Sequence, residues 1–158
     1  MSKGALREKM KTKKTNVSES YVFDTSALLT LWNDEEGADA VEDLLRSGAN
    51  VCVSFMTCME GRYRLWKNAG KAESDEFAKS LDLLPLMRID VTETIFEKSI
   101  EIKASHNLSV CDSWIAATAV AEQAVLVHKD PEFEQVQAIV KLKALPYKTL
   151  TRKKKRKE

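Results

Sequence analysis

Short apolar runs rich in β-branched residues alternate along this chain with longer segments of helical periodicity. Runs such as ANVCVS and AVLVH are too short for helices and are typical of buried strands. The intervening segments place apolar residues three and four positions apart, as amphipathic helices do. Strands that alternate with helices form βαβ units with parallel strands and helices on both faces of the sheet. The sequence therefore predicts an α/β fold with a central, mostly parallel sheet.

The predicted elements extend from residue 20 to residue 146. A first strand, a turn at Asp24 and a first helix share the segment 20–33, and Thr25 or Ser26 is the expected N-cap of that helix. Further strands are expected at 49–54, 86–91, 124–130 and, as a sheet edge, 139–146. Further helices are expected at 36–47 (ended by Gly48), 54–68, 71–84, 92–105 (capped by Thr92) and 108–123, with a short helical turn at 132–136.

The length and composition favour one ordinary globular domain. The chain has 158 residues, of which 44% are hydrophobic and 31% are charged. No apolar run approaches the roughly 18 residues of a membrane span, and no apolar segment follows the basic N-terminus as it would in a secretory signal. The three cysteines, Cys52, Cys58 and Cys111, lack paired spacing, which indicates reduced thiols in a cytoplasmic protein.

The two ends of the chain carry a charge opposite to that of the middle. Residues 1–14 and residues 152–158 each hold six basic side chains and one acidic side chain, a joint charge of +10. Because the net charge is +1, residues 15–151 carry −9. An acidic body repels a polyanion unless cations occupy its carboxylates, so the basic ends either attract phosphates or merely keep the protein in solution. We expect a flexible basic arm at 1–17, a folded domain at 18–150 and a basic tail at 151–158.

Four acidic residues lie where apolar runs end or where helices begin. Asp24 and Asp130 each follow a predicted strand, Asp112 begins the Ala-rich helix, and Glu60 follows five uncharged residues. In parallel sheets the ligand crevice lies beyond the carboxyl ends of the strands. Carboxylates gathered there need a compensating cation, and their hard oxygens suit Mg²⁺ or Mn²⁺. Such a metal can activate water for attack on a phosphodiester, so the pattern predicts a metal-dependent nuclease site.

Most of these acids also have a structural explanation when they are taken singly. Asp24 is a good N-cap residue, and for this position alone capping is the better explanation. Asp112 completes a capping box with Ser109. Asp130 precedes a proline and could simply open a turn.

Two further positions bear on the choice between these explanations. Glu60 could pair with Arg64 one helical turn later, which would leave it outside any metal site. Asp90 also follows a strand, but the neighbouring Thr92 makes helix capping its better explanation. The joint position of the other four acids on one rim therefore favours a metal site over separate caps and turns.

The order and spacing of the four acids resemble those of the PIN-domain nucleases, and in particular of the toxin-like group called VapC. The resemblance spans residues 21–134, and the pairing of its first motif with the distant third motif is fairly specific. The matching motifs are VFDTSALL, ME in the third predicted helix, DSWIAATA and HKDPEF. The resemblance implies a three-layer α/β/α fold. It also implies that Asp24, Glu60, Asp112 and Asp130 form an acidic site for Mg²⁺ or Mn²⁺.

The resemblance further implies an activity and partners. The expected activity is hydrolysis of RNA phosphodiester bonds, with Asp24 and Asp112 holding the metal. Glu60 and Asp130 would hold metal-bound water or a second ion. The expected partners are RNA, a cognate antitoxin that covers the acidic crevice, and a second copy of the chain in a homodimer, but no membrane. Where many VapC-like chains have Ser or Thr two residues before the last acid, this chain has His128 and so lacks a hydroxyl.

Three other functions are alternatives to this one. A non-catalytic PIN-like module would bind RNA or a protein without cleaving it. An RNA-processing or quality-control nuclease would use the same acids outside any toxin–antitoxin pair. An aspartyl-phosphate phosphatase of the haloacid dehalogenase type also has Asp after its first strand, but it needs a second Asp two residues later, where this chain has Ser26.

Overall fold

A computed structural model describes the fold of residues 18–149. The predicted arm at 1–17 and tail at 151–158 lie outside the described residues. The strands are β1 (Ser20–Phe23), β2 (Asn50–Ser54), β3 (Met87–Ile89), β4 (Val125–His128) and β5 (Leu142–Ala144). The helices are α1 (Thr25–Trp32), α2 (Ala38–Arg46), α3 (Phe55–Ala69), α4 (Lys71–Leu83), α5 (Glu93–Ser105) and α6 (Val110–Ala121), with a 3-10 helix at Pro131–Val136.

The five strands form one sheet in the order β3-β2-β1-β4-β5. Every neighbouring pair is parallel, because each connection between strands contains a helical segment that carries the chain back across the sheet. The strand β1 lies at the centre, and β5 lies at an edge as its alternating lysines predict. The predicted central parallel sheet is confirmed.

Successive side chains of the central strands point to opposite faces and contact different helices. Val22 and Leu126 belong to a core that includes α5 and α6. Phe23 and Val127, one residue later in each strand, belong to a core that includes α1 to α4. The two cores make the molecule a three-layer α/β/α structure, as the sequence predicts.

The N-cap of α1 is Asp24, so the prediction of Thr25 or Ser26 is wrong. Asp24 has extended backbone angles, and its Oδ1 accepts a hydrogen bond from the N–H of Ala27 at 2.8 Å. The chain passes from β1 into α1 with only this residue between them, so Thr25 is already helical. The acid itself therefore ends the strand and caps the helix.

Other helix ends follow the sequence more closely. Thr92 caps α5 by accepting a hydrogen bond from the N–H of Ile95 at 3.2 Å. Gly48 has a φ of 76°, in the left-handed region expected after a helix. The helix α2 begins later than predicted, because Gly37 has a φ of 100° and precedes its first residue.

Two sequence expectations concern hydrophobic spans and cysteines. Within residues 18–149, no helix is both long and apolar enough to cross a membrane. Cys52, Cys58 and Cys111 are all free thiols. Burial raises the pKa of Cys52 above its ordinary value, so this thiol packs as an apolar side chain in the sheet.

The close approach of α3 and α4 depends on Gly61. A Cβ atom added at Gly61 would lie 2.7 Å from Cε1 and 3.0 Å from Cζ of Phe77. The Phe77 side chain is only 2% exposed, so its ring has no free solvent into which it could move. The glycine thus lets the helix that carries Glu60 pack directly against the Phe77 ring.

We predict that Gly61→Ala destabilises the protein by about 1–2 kcal/mol, because overpacking outweighs the gain of about 1 kcal/mol in helix propensity. Urea denaturation followed by circular dichroism measures the change. Phe77→Leu is the matched control, since Gly61→Ala should be much less harmful when the ring is absent. An alanine variant more stable than the parent would contradict the proposed close contact.

Candidate functional site

The four acids predicted from the sequence come from different elements. Asp24 lies between β1 and α1, and Asp130 follows β4 as the N-cap of the 3-10 helix. Asp112 lies in the first turn of α6, and Glu60 lies in α3. The strands β1 and β4 are neighbours and parallel, so their carboxyl ends lie side by side. The topology of the sheet therefore brings Asp24 and Asp130 to the same rim.

Asp24 is the most deeply buried of these acids, with 3% of its surface exposed. Burial raises the pKa of its carboxyl group to about 7, and the negative charge of Asp112 adds to this effect. Hydrogen bonds from the Ala27 N–H and the Ser26 hydroxyl act in the opposite direction. No basic side chain of residues 18–149 forms an ion pair with Asp24. Within the part of the chain that the structure describes, its charge is therefore stabilised by neutral donors alone.

Ser26 connects this carboxylate to the neighbouring strand. Its Oγ lies 2.8 Å from both carboxylate oxygens of Asp24, to which it donates. The same Oγ accepts a hydrogen bond from the N–H of Lys129 at 2.8 Å. The hydroxyl thus fixes the start of α1 against the residue that precedes Asp130. The sequence offered Ser26 only as a cap, because its partner lies 103 positions away.

Asp112 is half-buried in the first turn of α6. Its N–H donates to the Oγ of Ser109 at 3.0 Å, so the predicted cap of this helix is formed. The pKa of the Asp112 carboxyl group is raised to about 6. Burial is the main cause, and the nearby negative charges of Glu60 and Asp130 contribute to the same rise. Helix capping and membership of an acidic group are therefore compatible at this position.

Among residues 18–149, Asp112, Asp130 and Glu132 meet closely enough to share one metal ion, and this group includes neither Asp24 nor Glu60. Each offers a carboxylate oxygen, and these oxygens all lie within 4.8 Å of one another. The Oδ1 of Asp130 accepts a hydrogen bond from the N–H of Glu132 at 2.9 Å, which holds the two residues in one turn. Glu132 was missed in the sequence. The signal that could have found it is the Asp-Pro-Glu order, which predicts a helix start with a second acid in its first turn.

Glu60 approaches this group from α3. Its negative charge raises the pKa of the Asp112 carboxyl group. Burial, followed by the negative charge of Glu60, raises the pKa of Cys111 well above its ordinary value, so the thiol stays protonated. The alternative pair with Arg64 is not formed in the part of the chain that the structure describes.

Within residues 18–149, no basic side chain balances the negative charge of these acids. None of the ion pairs within residues 18–149 involves Asp24, Glu60, Asp112, Asp130 or Glu132. Lys129 is close in sequence, but its Nζ contacts Glu35 at 3.4 Å and its side chain is 5% exposed. A set of carboxylate oxygens without basic partners has the chemistry of a site for a hard divalent cation.

His128 is the last residue of β4 and is completely buried. Its Nδ1 lies 2.8 Å from the carbonyl oxygen of Asp130. Burial lowers the pKa of its imidazole, so the ring is neutral near pH 7. At the position where the VapC-like pattern often has a hydroxyl, this chain therefore has an imidazole that is hydrogen-bonded to the backbone of Asp130.

A comparison with protein families now bears on this arrangement. Residues 21–139, three quarters of the chain, match the PIN domain family. The chain belongs to the PIN domain family. The resemblance to the PIN-domain nucleases that the sequence motifs indicated is confirmed. A comparison with curated protein sequences gives no significant match.

Solved structures with the same fold include several VapC-like proteins. VapBC2 from Rickettsia felis, solved with a DNA fragment from its promoter, is 19% identical with a TM-score of 0.67, covering 80% of this chain and 99% of that chain. DNA-bound VapBC from Salmonella typhimurium is 20% identical with a TM-score of 0.65, covering 80% and 98%. VapC20 from Mycobacterium tuberculosis, described as a sarcin–ricin loop cleaving toxin, is 19% identical with a TM-score of 0.61, covering 73% and 94%. These TM-scores show that the PIN domain shares its fold with these proteins.

We predict that Asp24 and Asp112 make a contribution to the stability of the metal-free PIN domain that is lost as the pH rises from about 4 to about 7, whereas the lowered pKa of His128 acts in the opposite direction. The unfolded chain ionises Asp24 and Asp112 near pH 3.8, whereas the folded protein keeps them protonated up to about pH 7 and about pH 6. In this interval the folded state binds more protons, so the free energy of unfolding falls with pH and then levels off. Denaturation in EDTA at several pH values measures the slope.

The variant Asp24→Asn lacks the main titrating group and should lose stability less steeply. At pH 8 it should be more stable than the parent by on the order of 2 kcal/mol. Asp90→Asn is the matched control, because Asp90 is exposed and pairs with Arg88 at 2.9 Å. A variant at position 24 with the same slope as the parent would contradict the raised pKa.

Proposed function

We propose that this PIN domain is a metal-dependent endoribonuclease that hydrolyses RNA phosphodiester bonds with Mg²⁺ or Mn²⁺. The observation that carries the proposal is the convergence of the Asp112, Asp130 and Glu132 carboxylates, which have no basic partner among the described residues. The buried Asp24 lies at the same end of the sheet, because β1 and β4 are neighbours. Membership of the PIN domain family supports a nuclease activity. The order of the acids along the chain supports the same activity, because it matches the pattern of the VapC-like nucleases.

Each acid has a proposed role. Asp24 and Asp112 would bind the metal directly, since both are anchored at element ends. Glu60 and Asp130 would hold metal-bound water or a second ion. Glu132 joins them as a further candidate ligand, because its carboxylate lies within 4.8 Å of the oxygens of Asp112 and Asp130. A bound Mg²⁺ or Mn²⁺ would lower the pKa of a coordinated water and neutralise charge that develops on the phosphate.

The remaining groups of the site orient the carboxylates. The N–H of Ala27 donates to Oδ1 of Asp24 and the Ser26 hydroxyl contacts both carboxylate oxygens, so these groups fix the rotamer of Asp24. The Asp130 carboxylate is fixed in the same way by the N–H of Glu132. The raised pKa values of Asp24 and Asp112 imply that a bound cation releases protons from the site near neutral pH.

RNA is the proposed substrate class, and a single-stranded loop of a structured RNA is its preferred form. The support comes from VapC20, which is described as cleaving the sarcin–ricin loop. Loops expose unstacked bases, and their backbone is accessible to the carboxylates at the end of the sheet. Because residues 15–151 carry −9, we propose that the basic ends of the chain supply attraction to the RNA phosphates.

We further propose that the protein is the toxin of a toxin–antitoxin pair. Several structures with the same fold are VapBC complexes. A cognate antitoxin would suppress cleavage by covering the acidic crevice. A homodimer is also part of this proposal, and exposed apolar side chains of α3 and α5, such as Met59 and Phe96, are available for it.

The catalytic proposal is tested with Asp24→Asn and Asp112→Asn. Each should lower the rate of cleavage of a single-stranded RNA in Mn²⁺ by at least about 100-fold, because each removes a proposed metal ligand. The rate is measured with a fluorogenic RNA and, in parallel, with DNA of the same sequence. Asp90→Asn is the matched control, since it removes an exposed acid that follows β3, and it should cleave RNA like the parent.

The outcomes separate the alternative functions. Variants at positions 24 and 112 that cleave RNA as fast as the parent would overturn the catalytic assignment. A parent protein that binds RNA but cleaves it in neither Mg²⁺ nor Mn²⁺ would instead indicate a non-catalytic binding module. Preferential cleavage of DNA would contradict the proposed substrate class.

A further inference from the structure

The imidazole of His128 is held in one position by its surroundings. It is completely buried at the end of β4, and its own carbonyl oxygen accepts a hydrogen bond from the N–H of Leu145 at 2.7 Å. The rings of Phe133 and Tyr147 lie beside it, with centroids 5.4 Å and 6.1 Å away. The hydroxyl of Tyr147 is itself fixed by a hydrogen bond to Glu134 at 2.8 Å. The ring therefore has little freedom to turn.

The hydrogen bond of His128 defines its tautomer. Its Nδ1 lies 2.8 Å from the carbonyl oxygen of Asp130, which can only accept. The Nδ1 atom must therefore carry the proton and donate it. This donor acts on the backbone of an acid two residues later, across the turn that leads from β4 into the 3-10 helix.

The Asp130 backbone is fixed from both sides of this turn. Its carbonyl oxygen also accepts a hydrogen bond from the N–H of Phe133 at 3.2 Å. Its carboxylate accepts from the N–H of Glu132 at 2.9 Å. With these bonds in place, the carboxylates of Asp130 and Glu132 reach within 4.8 Å of Asp112. Of the three donors in these bonds, only that of His128 is a side-chain group, so a substitution can remove it while Asp130 and Glu132 keep their own carboxylates.

We propose that His128 is a positioning residue, whose Nδ1–H fixes the backbone of Asp130 and thereby the distance of the Asp130 and Glu132 carboxylates from Asp112. This inference rests on the proposed metal site, and it assigns that site a support outside the acids. Removal of the donor loosens the turn, so the two carboxylates no longer converge with Asp112. Hydrogen-bonded supports of metal ligands typically change metal affinity by about 10–100-fold.

Two variants of His128 separate positioning from packing. His128→Leu fills a similar space in this apolar pocket but donates no hydrogen bond. His128→Asn leaves part of the space empty, but its amide nitrogen can donate to the Asp130 carbonyl from nearly the same place as Nδ1. A role in packing alone would make the asparagine variant the more damaged of the two in every measurement.

We expect His128→Leu to lose more Mn²⁺ affinity and His128→Asn to lose more thermal stability. Isothermal titration with Mn²⁺ should show an affinity about 10-fold weaker for His128→Leu, and within about threefold of the parent for His128→Asn. Thermal unfolding in EDTA should show the lower Tm for His128→Asn. Equal Mn²⁺ affinity of the parent and a folded His128→Leu variant would overturn the proposal.

Two further measurements keep the outcomes distinct. Asp112→Asn should bind Mn²⁺ far more weakly than the parent. If it binds equally well, or if the parent binds no Mn²⁺, the proposed metal site fails and the positioning role fails with it. If His128→Leu does not fold, the nitrogen chemical shifts of the imidazole in the ¹⁵N-labelled parent decide. An Nδ1–H tautomer is expected, and an Nε2–H tautomer would overturn the proposal.

Discussion

The buried carboxylate of Asp24 is the constraint on which the rest of the site depends. It is 3% exposed, and its donors are a hydroxyl and a backbone N–H rather than a basic side chain. An ionised carboxylate in such surroundings is costly, which is why its pKa rises to about 7. Asp112 lies close enough to make the same problem worse. The proposed divalent cation would resolve this conflict, because it would compensate several carboxylates at once.

Helix capping is compatible with the metal binding proposed for the acids of this PIN domain. Asp24 and Asp130 each use one carboxylate oxygen, Oδ1, to accept a backbone N–H at the start of a helix. The hydrogen bond fixes the side chain. The Oδ2 of Asp24 also contacts the Ser26 hydroxyl at 2.8 Å, but a carboxylate oxygen has a second lone pair that can bind a ligand. Asp112 follows a different route, since its cap is Ser109 and its own carboxylate is left to the acidic group. Helix starts beyond the strands thus supply both the position and the orientation of the acids.

The sequence predicted the fold and most of the proposed site because both follow from local patterns. Alternating apolar runs indicated the parallel sheet, and the motifs around Asp24 and Asp112 indicated the PIN domain. Asp24 caps α1, as its capping explanation predicted, whereas the assignment of the cap to Thr25 or Ser26 was wrong. The three residues have similar capping propensities, and only the length of β1 decides among them.

The features that the sequence did not reveal depend on contacts between distant segments. The Asp-Pro-Glu order places Glu132 in the first turn of the 3-10 helix. Its approach to Asp112 depends on where α6 lies in the fold, which the order does not reveal. Ser26 contacts Lys129 only because β1 and β4 are neighbours. The raised pKa values likewise follow from burial, which a linear pattern does not measure.

The most direct test of the central claim is anomalous diffraction from a crystal soaked in Mn²⁺. A manganese peak within about 2.5 Å of carboxylate oxygens of Asp24 and Asp112 is predicted. A fully ordered rim without such a peak, or a peak only at other surface acids, would contradict it.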